Sequence, residues 1–291
     1  MFIYNPKSGK AQIKSKLAEI LDVFAGEEYE ITICPTRKSG DAAEAARNRS
    51  PEYDLLVCSG GDGTLDEVVT GMIESGFKTP IGYIPAGSTN DFATSLGLPK
   101  NMVRAASVAV EGKDFPCDVG SFNDDVFVYI AAFGIFTEVS YETNQDMKNL
   151  LGHLAYLLEG MKKLSTIKAY PMKVTHSQGV IEGEFLFGMV TNSVSVGGFK
   201  NLTGRHVKLD DGVFEVTLIR NPRNVTELNN IILSLLNRES DNESIHSFRT
   251  AEVRFESPEP VAWTLDGENG GTHTNVTVKN ICKGIDIRIK S

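Results

Sequence analysis

The sequence has little of what staples small or exported folds together. Cysteine is scarce, with four in 291 residues. Cys34, Cys58, Cys117 and Cys282 lie far apart and never in Cys-x-x-Cys spacing. That excludes a disulfide framework or a zinc ribbon and predicts buried thiols in a reducing compartment. Long apolar runs are missing too, and none approaches the roughly 20 residues of a membrane-spanning helix. Cations are in the minority, 29 Lys and Arg against 38 Asp and Glu, for a net charge of −9. A general nucleic-acid binder is therefore not expected, because neutralising phosphates takes clustered Lys and Arg. The N-terminus begins on an apolar, strand-like stretch with no basic leader, so no signal peptide is expected. The expected location is the cytoplasm, with any membrane contact peripheral at the inner face of the plasma membrane. The histidines show no metal-ligand spacing.

What is present reads as an ordinary globular protein: 41% of residues are hydrophobic and 23% charged, which excludes a disordered or fibrous chain. At roughly 100–200 residues per domain, two domains are expected. In the first part, short apolar strands alternate with helical stripes. Strands are predicted at residues 2–4, 31–33, 55–57 and 81–84. Helices are predicted on the stripe Ile13, Leu17, Ile20, Leu21, Phe24, over 41–49, on Leu65, Val68, Val69, Met72, Ile73, from Asp91, and over 102–110. Asp41 with Glu44, and Thr64 with Glu67, have capping-box spacing. This β-α-β-α order predicts an α/β domain with a parallel, doubly wound sheet over residues 1–118. In such sheets ligands bind at the carboxyl ends of the strands. From residue 119 to 291 strand-like runs dominate: 126–132, 172–175, 184–191, 214–219, 251–255, 276–279 and 285–289. Helices are expected at 150–163 and 225–237. That pattern predicts a β-rich sandwich.

Three loops follow predicted strands of the first domain. The strongest signal is Ser59-Gly60-Gly61-Asp62-Gly63-Thr64-Leu65-Asp66-Glu67. Its glycines let backbone approach a ligand closely, and free N–H groups at the following helix start favour an anion. Asp62 would repel a phosphate unless a divalent cation stood between them. The spacing is neither a Walker A loop nor GxGxxG. Ile84-Pro85-Ala86-Gly87-Ser88-Thr89-Asn90-Asp91 repeats the strand, glycine turn and helix arrangement. Taken alone it reads as a helix cap; two such loops after successive parallel strands point to one nucleotide site. Asn5-Pro6-Lys7-Ser8-Gly9, by itself a plain turn, would lie on the same sheet edge, with Thr36 as a weaker member.

These motifs, with Leu265-Asp266-Gly267-Glu268 following in order, resemble the diacylglycerol kinase catalytic domain in its soluble bacterial lipid-kinase form, to which sphingosine and ceramide kinases are similar. The resemblance spans nearly the whole chain. It implies ATP held by Asn5, Pro6, Lys7, Ser8, Gly9, Thr36, Gly60, Gly61, Asp62, Gly63, Thr64, Leu65, Asp66, Glu67, Ser88 and Asn90. It implies an active-site network through Asp62 and Asp91, and an acidic pair, Asp266 and Glu268, either of which could accept the proton. It also implies a structural Mg²⁺ on the Asp211 carboxylate and the carbonyls of Lys208 and Val213, although Asp210-Asp211-Gly212 read by itself is a hairpin turn. The implied reaction moves the γ-phosphoryl of ATP to a lipid hydroxyl, with diacylglycerol the default acceptor. NAD kinase shares the Gly-Gly-Asp-Gly loop but lacks the 85–91 and 265–268 motifs. A catalytically silent nucleotide- or lipid-binding regulator is the third reading, and a homodimer stays open. Leu150, Leu151, Leu154, Leu157, Leu158 and Met161 form an apolar stripe flanked by Lys148, Lys162, Lys163, Lys168 and Lys173. It is read either as an interfacial membrane contact or as an ordinary core helix.

Overall fold

The computed structural model describes residues 1–134, 168–196, 199–200, 207–237 and 243–291. The helix expected over 150–163, with its lysines 148, 162 and 163, lies outside them. Two compact units form, Met1–Val119 with Ile281–Ser291, and Gly120–Asn280. The strand pattern predicts a second domain running to residue 291; in the structure Ile281–Ser291 groups with the first unit. The reason is a parallel pairing, Ile287 against Ile81, that only a folded chain can make.

In the first unit, β1 (Phe2–Tyr4), β2 (Ile33–Pro35), β3 (Leu56–Gly60) and β4 (Ile81–Pro85) are parallel in the order β4-β3-β1-β2. Strand β2 falls two residues later than the β-branched run predicted it. Its register is set by neighbours: Phe2 stands opposite both Ile33 and Val57. Strand alternation sends Phe2, Val57 and Ile84 to one face, where α1 (Ile13–Gly26) and α5 (Met102–Glu111) bury Ile13, Ile20, Phe24, Ala105 and Ala109 against them. The other helices are α2 (Asp41–Arg49), α3 (Asp62–Ser75) and the short α4 (Asp91–Ser95). Helices α2 and α3 pack on each other.

Neither expected capping box forms. Helix α2 starts after Gly40, and Asp41 turns back to accept the N–H groups of Arg37 (2.8 Å) and Lys38 (3.2 Å). Helix α3 starts at Asp62 with Gly61 at the cap and no side-chain cap bond. Thr64 and Glu67 therefore sit inside the helix, and their side chains are free for longer-range work.

The second unit is strand-rich. The chain enters it within β5 (Lys113–Phe122), a strand the sequence reading missed, and leaves it within β15 (Glu268–Ile289). In between come β6 (Asp125–Phe127), β7 (Ile130–Gly134), β8 (Tyr170–His176), β9 (Gly179–Thr191), β10 (Ser195–Val196), β11 (Phe199–Lys200), β12 (Phe214–Arg220), helix α6 (Val225–Asn237), β13 (Ile245–Thr250) and β14 (Glu252–Leu265). Strands β9 and β14 each pair antiparallel with β8 along one half and with β7 along the other. The sheet thus folds over itself around an aromatic core. Trp263 lies at its centre, its ring 4.8 Å from Phe133, 5.0 Å from Phe255 and 5.1 Å from Phe122 by centroids. The run 126–132, expected as one strand, is broken at Val128 and Tyr129. Their N–H groups are taken by the Asp266 carboxylate rather than by a strand neighbour.

Candidate active site

The three glycine loops of the first unit leave the carboxyl ends of β1, β3 and β4. The strand order reverses between β1 and β3, since β1 leads outward to β2 while β3 leads the other way to β4. That switch point is where an open parallel sheet leaves a crevice for a ligand.

The loops touch one another. Asn5 Nδ2 donates to Thr64 Oγ1 at 3.4 Å, and the Asn5 N–H donates to the Ser59 carbonyl at 2.9 Å. A Cβ on Gly9, whose φ is +54°, would lie 2.3 Å from the Ala86 carbonyl oxygen. One on Gly87 would lie 2.6 Å from the Gly61 Cα. No side chain other than hydrogen fits where the second and third loops meet. Asn90, in a left-handed conformation, closes the third loop on itself: its Oδ1 accepts from Gly87 N (2.9 Å) and its Nδ2 donates to Gly87 O (2.8 Å). The buried Tyr83 hydroxyl reaches the Gly60 carbonyl (3.3 Å) and Asn90 Oδ1 (3.4 Å). Burial, and then the negative charge of Asp62, push its pKa up, so it stays a neutral donor. Sequence reasoning missed Tyr83 because its hydroxyl reaches Gly60, 23 residues away along the chain.

Asp62 and Asp91 head their helices and are linked, the Asp91 N–H pointing at Asp62 Oδ2 at 3.4 Å. Asp91 is only 2% exposed. Ser8 and Thr64 are buried, whereas Lys7 and Ser88 are exposed. Leu65 is fully in the core, so its side chain faces no ligand. Thr36 receives its position from β1, its N–H donating to the Tyr4 carbonyl at 2.9 Å. It lines a 260 Å³ cavity with Ile3, Arg37, Asp41 and Asn48.

In the second unit the Leu265-Asp266-Gly267-Glu268 motif is a two-residue hairpin between β14 and β15, Leu265 pairing with Glu268. Both turn residues have positive φ, +50° for Asp266 and +87° for Gly267, which is the primed turn that Asp-Gly favours. Asp266 is 5% exposed. Its carboxylate accepts three backbone N–H bonds, from Val128 (2.5 Å), Tyr129 (2.9 Å) and Ile130 (2.9 Å). These are the donors that interrupt the expected 126–132 strand. Glu268 is exposed. The two acids, alike in sequence, hold opposite positions: one is a fixed anchor and the other a presented carboxylate.

The turn expected to hold a structural cation is built otherwise. The Asp211 carboxylate is ion-paired to the Arg249 guanidinium, and the Val213 N–H points at it from 3.4 Å. Arg249 also donates to Glu215 Oε1 at 3.1 Å. Holding a cation with the Lys208 and Val213 carbonyls would therefore require Asp211 to exchange its Arg249 partner for the ion. Among the described residues no group of three or more His, Cys, Asp or Glu is arranged to hold a metal. Arg249 could not be found from the sequence, because it reaches Asp211 only through the pairing of β12 with β13.

Comparison with known proteins places this geometry. The family model described as "Diacylglycerol kinase catalytic domain" matches residues 1–122, and "YegS C-terminal NAD kinase beta sandwich-like domain" matches residues 130–284. The diacylglycerol kinase of Bacillus subtilis (strain 168) is 34% identical over 271 residues, 92% of this chain and 89% of that protein. That of Staphylococcus saprophyticus is 35% identical over 271 residues, 92% of this chain and 88% of its own length. A solved structure from Bacillus anthracis str. Sterne superposes with a TM-score of 0.85 at 25% identity, covering 99% of this chain and 94% of that one. A diacylglycerol kinase structure from the same organism gives 0.78 at 23% identity, with 99% and 96% covered, and shares the fold.

Proposed function

Because the chain belongs to the diacylglycerol kinase catalytic domain family and is thus a kinase acting on a lipid hydroxyl, we propose that it transfers the γ-phosphoryl of Mg²⁺-ATP to diacylglycerol, giving phosphatidic acid. The observation that carries this reading is the meeting of three glycine loops at the switch point of the parallel sheet, with the Asp62–Asp91 pair among them. Backbone N–H groups and the Ser8 and Thr64 hydroxyls suit phosphate oxygens. The Asp62 and Asp91 carboxylates suit the hard cation that accompanies a triphosphate. In this reading Asn5, Pro6, Lys7, Ser8, Gly9, Thr36, Gly60, Gly61, Gly63 and Ser88 border the nucleotide. Asn90 and Tyr83 keep the third loop in shape.

Phosphoryl transfer passes through a loose transition state, so the protein's work is positioning and charge stabilisation rather than strong-base chemistry. Glu268 is assigned as the proton acceptor of the lipid hydroxyl. It orients the hydroxyl first and takes its proton late, as the bond to the leaving nucleotide breaks. Asp266 is assigned a positioning role. Its oxygens are engaged by three N–H groups, which supports Glu268 over Asp266 as base. Among the described residues no helix is long and apolar enough to cross a membrane. Access to diacylglycerol is then by peripheral contact with the bilayer surface from the cytoplasmic side. The test is phosphorylation of a lipid panel with labelled Mg²⁺-ATP, with NAD as a parallel acceptor. Labelled phosphatidic acid is the expected product. Labelled NADP, or ATP binding without turnover on any lipid, overturns the assignment.

A further inference from the structure

Glu67 closes the Gly-Gly-Asp-Gly-Thr-Leu-Asp-Glu motif, yet it does not face the glycine loops. On α3 it shares a face with Gly71 and Glu74, at positions i, i+4 and i+7, and that face is turned to α2. A Cβ on Gly71 would lie 2.3 Å from the Ala43 carbonyl oxygen, so the two helices touch there backbone to backbone. One turn further on, Glu74 accepts from Arg47 at 2.7 Å. At the near end of the stripe the Glu67 carboxylate meets the start of α2. Its Oε1 accepts from the Ser39 hydroxyl (3.0 Å) and the Gly40 N–H (2.8 Å), and its Oε2 from the Ala42 N–H (3.1 Å). It thereby serves the first-turn donors that the missing capping box leaves open, and its negative charge sits at the positive end of α2.

The residues it grips, Ser39, Gly40 and Ala42, adjoin one wall of the 260 Å³ cavity, which Thr36, Arg37 and Asp41 line. That wall is tied from two sides. Asp41 holds the Arg37 and Lys38 N–H groups from within, and Glu67 holds residues 39, 40 and 42 from α3. Because α3 begins directly at the Gly61 and Asp62 loop, one helix carries both that loop at its head and, little more than a turn later, the grip on residues 39, 40 and 42 beside the Thr36 wall. We infer that Glu67 is a positioning residue for the nucleotide site, fixing the wall of residues 36–42 relative to the loop of residues 60–64, and not a nucleotide contact.

This rests on the nucleotide reading above, so the test separates the two. Amide exchange of Gly40 and Ala42, calorimetric Kd for Mg²⁺-ATP, and steady-state kinetics are measured on the full chain, on Glu67→Ala and on Glu67→Gln. In Glu67→Ala both amides should exchange about tenfold faster or more, since each loses a charge-assisted acceptor. The Kd and KM for ATP should rise about fivefold, with kcat and the lipid KM within about twofold. Glu67→Gln keeps an oxygen for Ser39 and Gly40 but turns an NH₂ toward the Ala42 N–H. Only the Ala42 amide should then quicken, with a smaller rise in Kd, which keeps the test open should the alanine variant not fold. Faster exchange with unchanged ATP affinity overturns the inference, as does weaker ATP binding with unchanged exchange. A wild-type chain that binds no ATP sinks both readings. One that binds ATP but phosphorylates no lipid sinks the kinase assignment alone, and the inference is then read from the Kd.

Discussion

Replacing Asp266 by Asn separates the anchor from the base. The substitution is nearly isosteric, and Asn tolerates the left-handed backbone of the turn as well as Asp does. In the native turn Oδ1 accepts from Tyr129 and Ile130 and Oδ2 from Val128. Asn keeps one oxygen for the first two and turns an NH₂ toward the Val128 N–H. One charge-assisted bond is lost and one buried donor is stranded, at a cost of about 2 kcal/mol. That corresponds to a fall of about 5 °C in the unfolding temperature of a domain this size. Thermal and urea unfolding followed by tryptophan fluorescence suit the measurement, because the chain's single Trp, Trp263, lies at the end of the same strand. Turnover should fall as well, since the hairpin that carries Glu268 loses its tether. The companion variant Glu268→Gln should lose turnover without losing stability. Its exposed position predicts a stability change within about 0.5 kcal/mol, while lipid phosphorylation falls by about 10²-fold or more. If Asp266→Asn melts with the wild type, or if Glu268→Gln turns over normally, the division of labour between the two acids is wrong.

Gly87→Ala should push the second and third loops apart, because its Cβ would meet the Gly61 Cα at 2.6 Å. The cost should be about 1–3 kcal/mol of stability, with ATP affinity weakened in calorimetry. Wild-type ATP affinity in that variant would mean the loop contact is irrelevant to the site. Glu215, 6% exposed, has its pKa raised from 4.5 to about 7, first by burial and then by Asp211, against the opposing pull of Arg249. The folded chain therefore holds a proton there that the unfolded chain has released, and stability should decline as pH climbs from 4.5 toward 7 and level off above. Thermal scans across that range should show a flatter profile for Glu215→Gln; an unchanged slope would assign the pH dependence to other groups. Arg249→Ala should release the Asp211 carboxylate beside the Lys208 and Val213 carbonyls. Measured without nucleotide, its unfolding temperature should then gain a dependence on Mg²⁺ that the wild type lacks, and equal responses in the two proteins would contradict the role given to Arg249.

Several features were legible because they are written in adjacent residues. Helical stripes such as Ile13 to Phe24 and the run 225–237 place α1 and α6 because burial follows a 3.6-residue period that short-range sequence displays. Glycine loops after apolar strands announced the edge of the sheet that matters, because only glycine permits such backbone approach. Other features were misread where a distant partner overrode local preference. Residues 276–279 and 285–289 looked like separate strands around an Asn-to-Gly turn. The chain instead continues as one strand, with Lys283 in a left-handed kink whose N–H is captured by Asp118 at 2.7 Å.

The composition and order of residues thus determined the kind of protein this is: a parallel α/β unit with glycine loops at its strand ends, a β-rich unit, and two acids in a tight turn. What each acidic side chain does was decided only by folding. Asp266 became an anchor because the backbone N–H groups of Val128, Tyr129 and Ile130 converge on its carboxylate. Asp211 met an arginine because β13 lies beside β12. Glu67 turned from its own loop to the start of α2 because Gly71 lets the helices close. A carboxylate's function depends on which donors reach it within about 3 Å, and those donors come from parts of the chain that the sequence places far away.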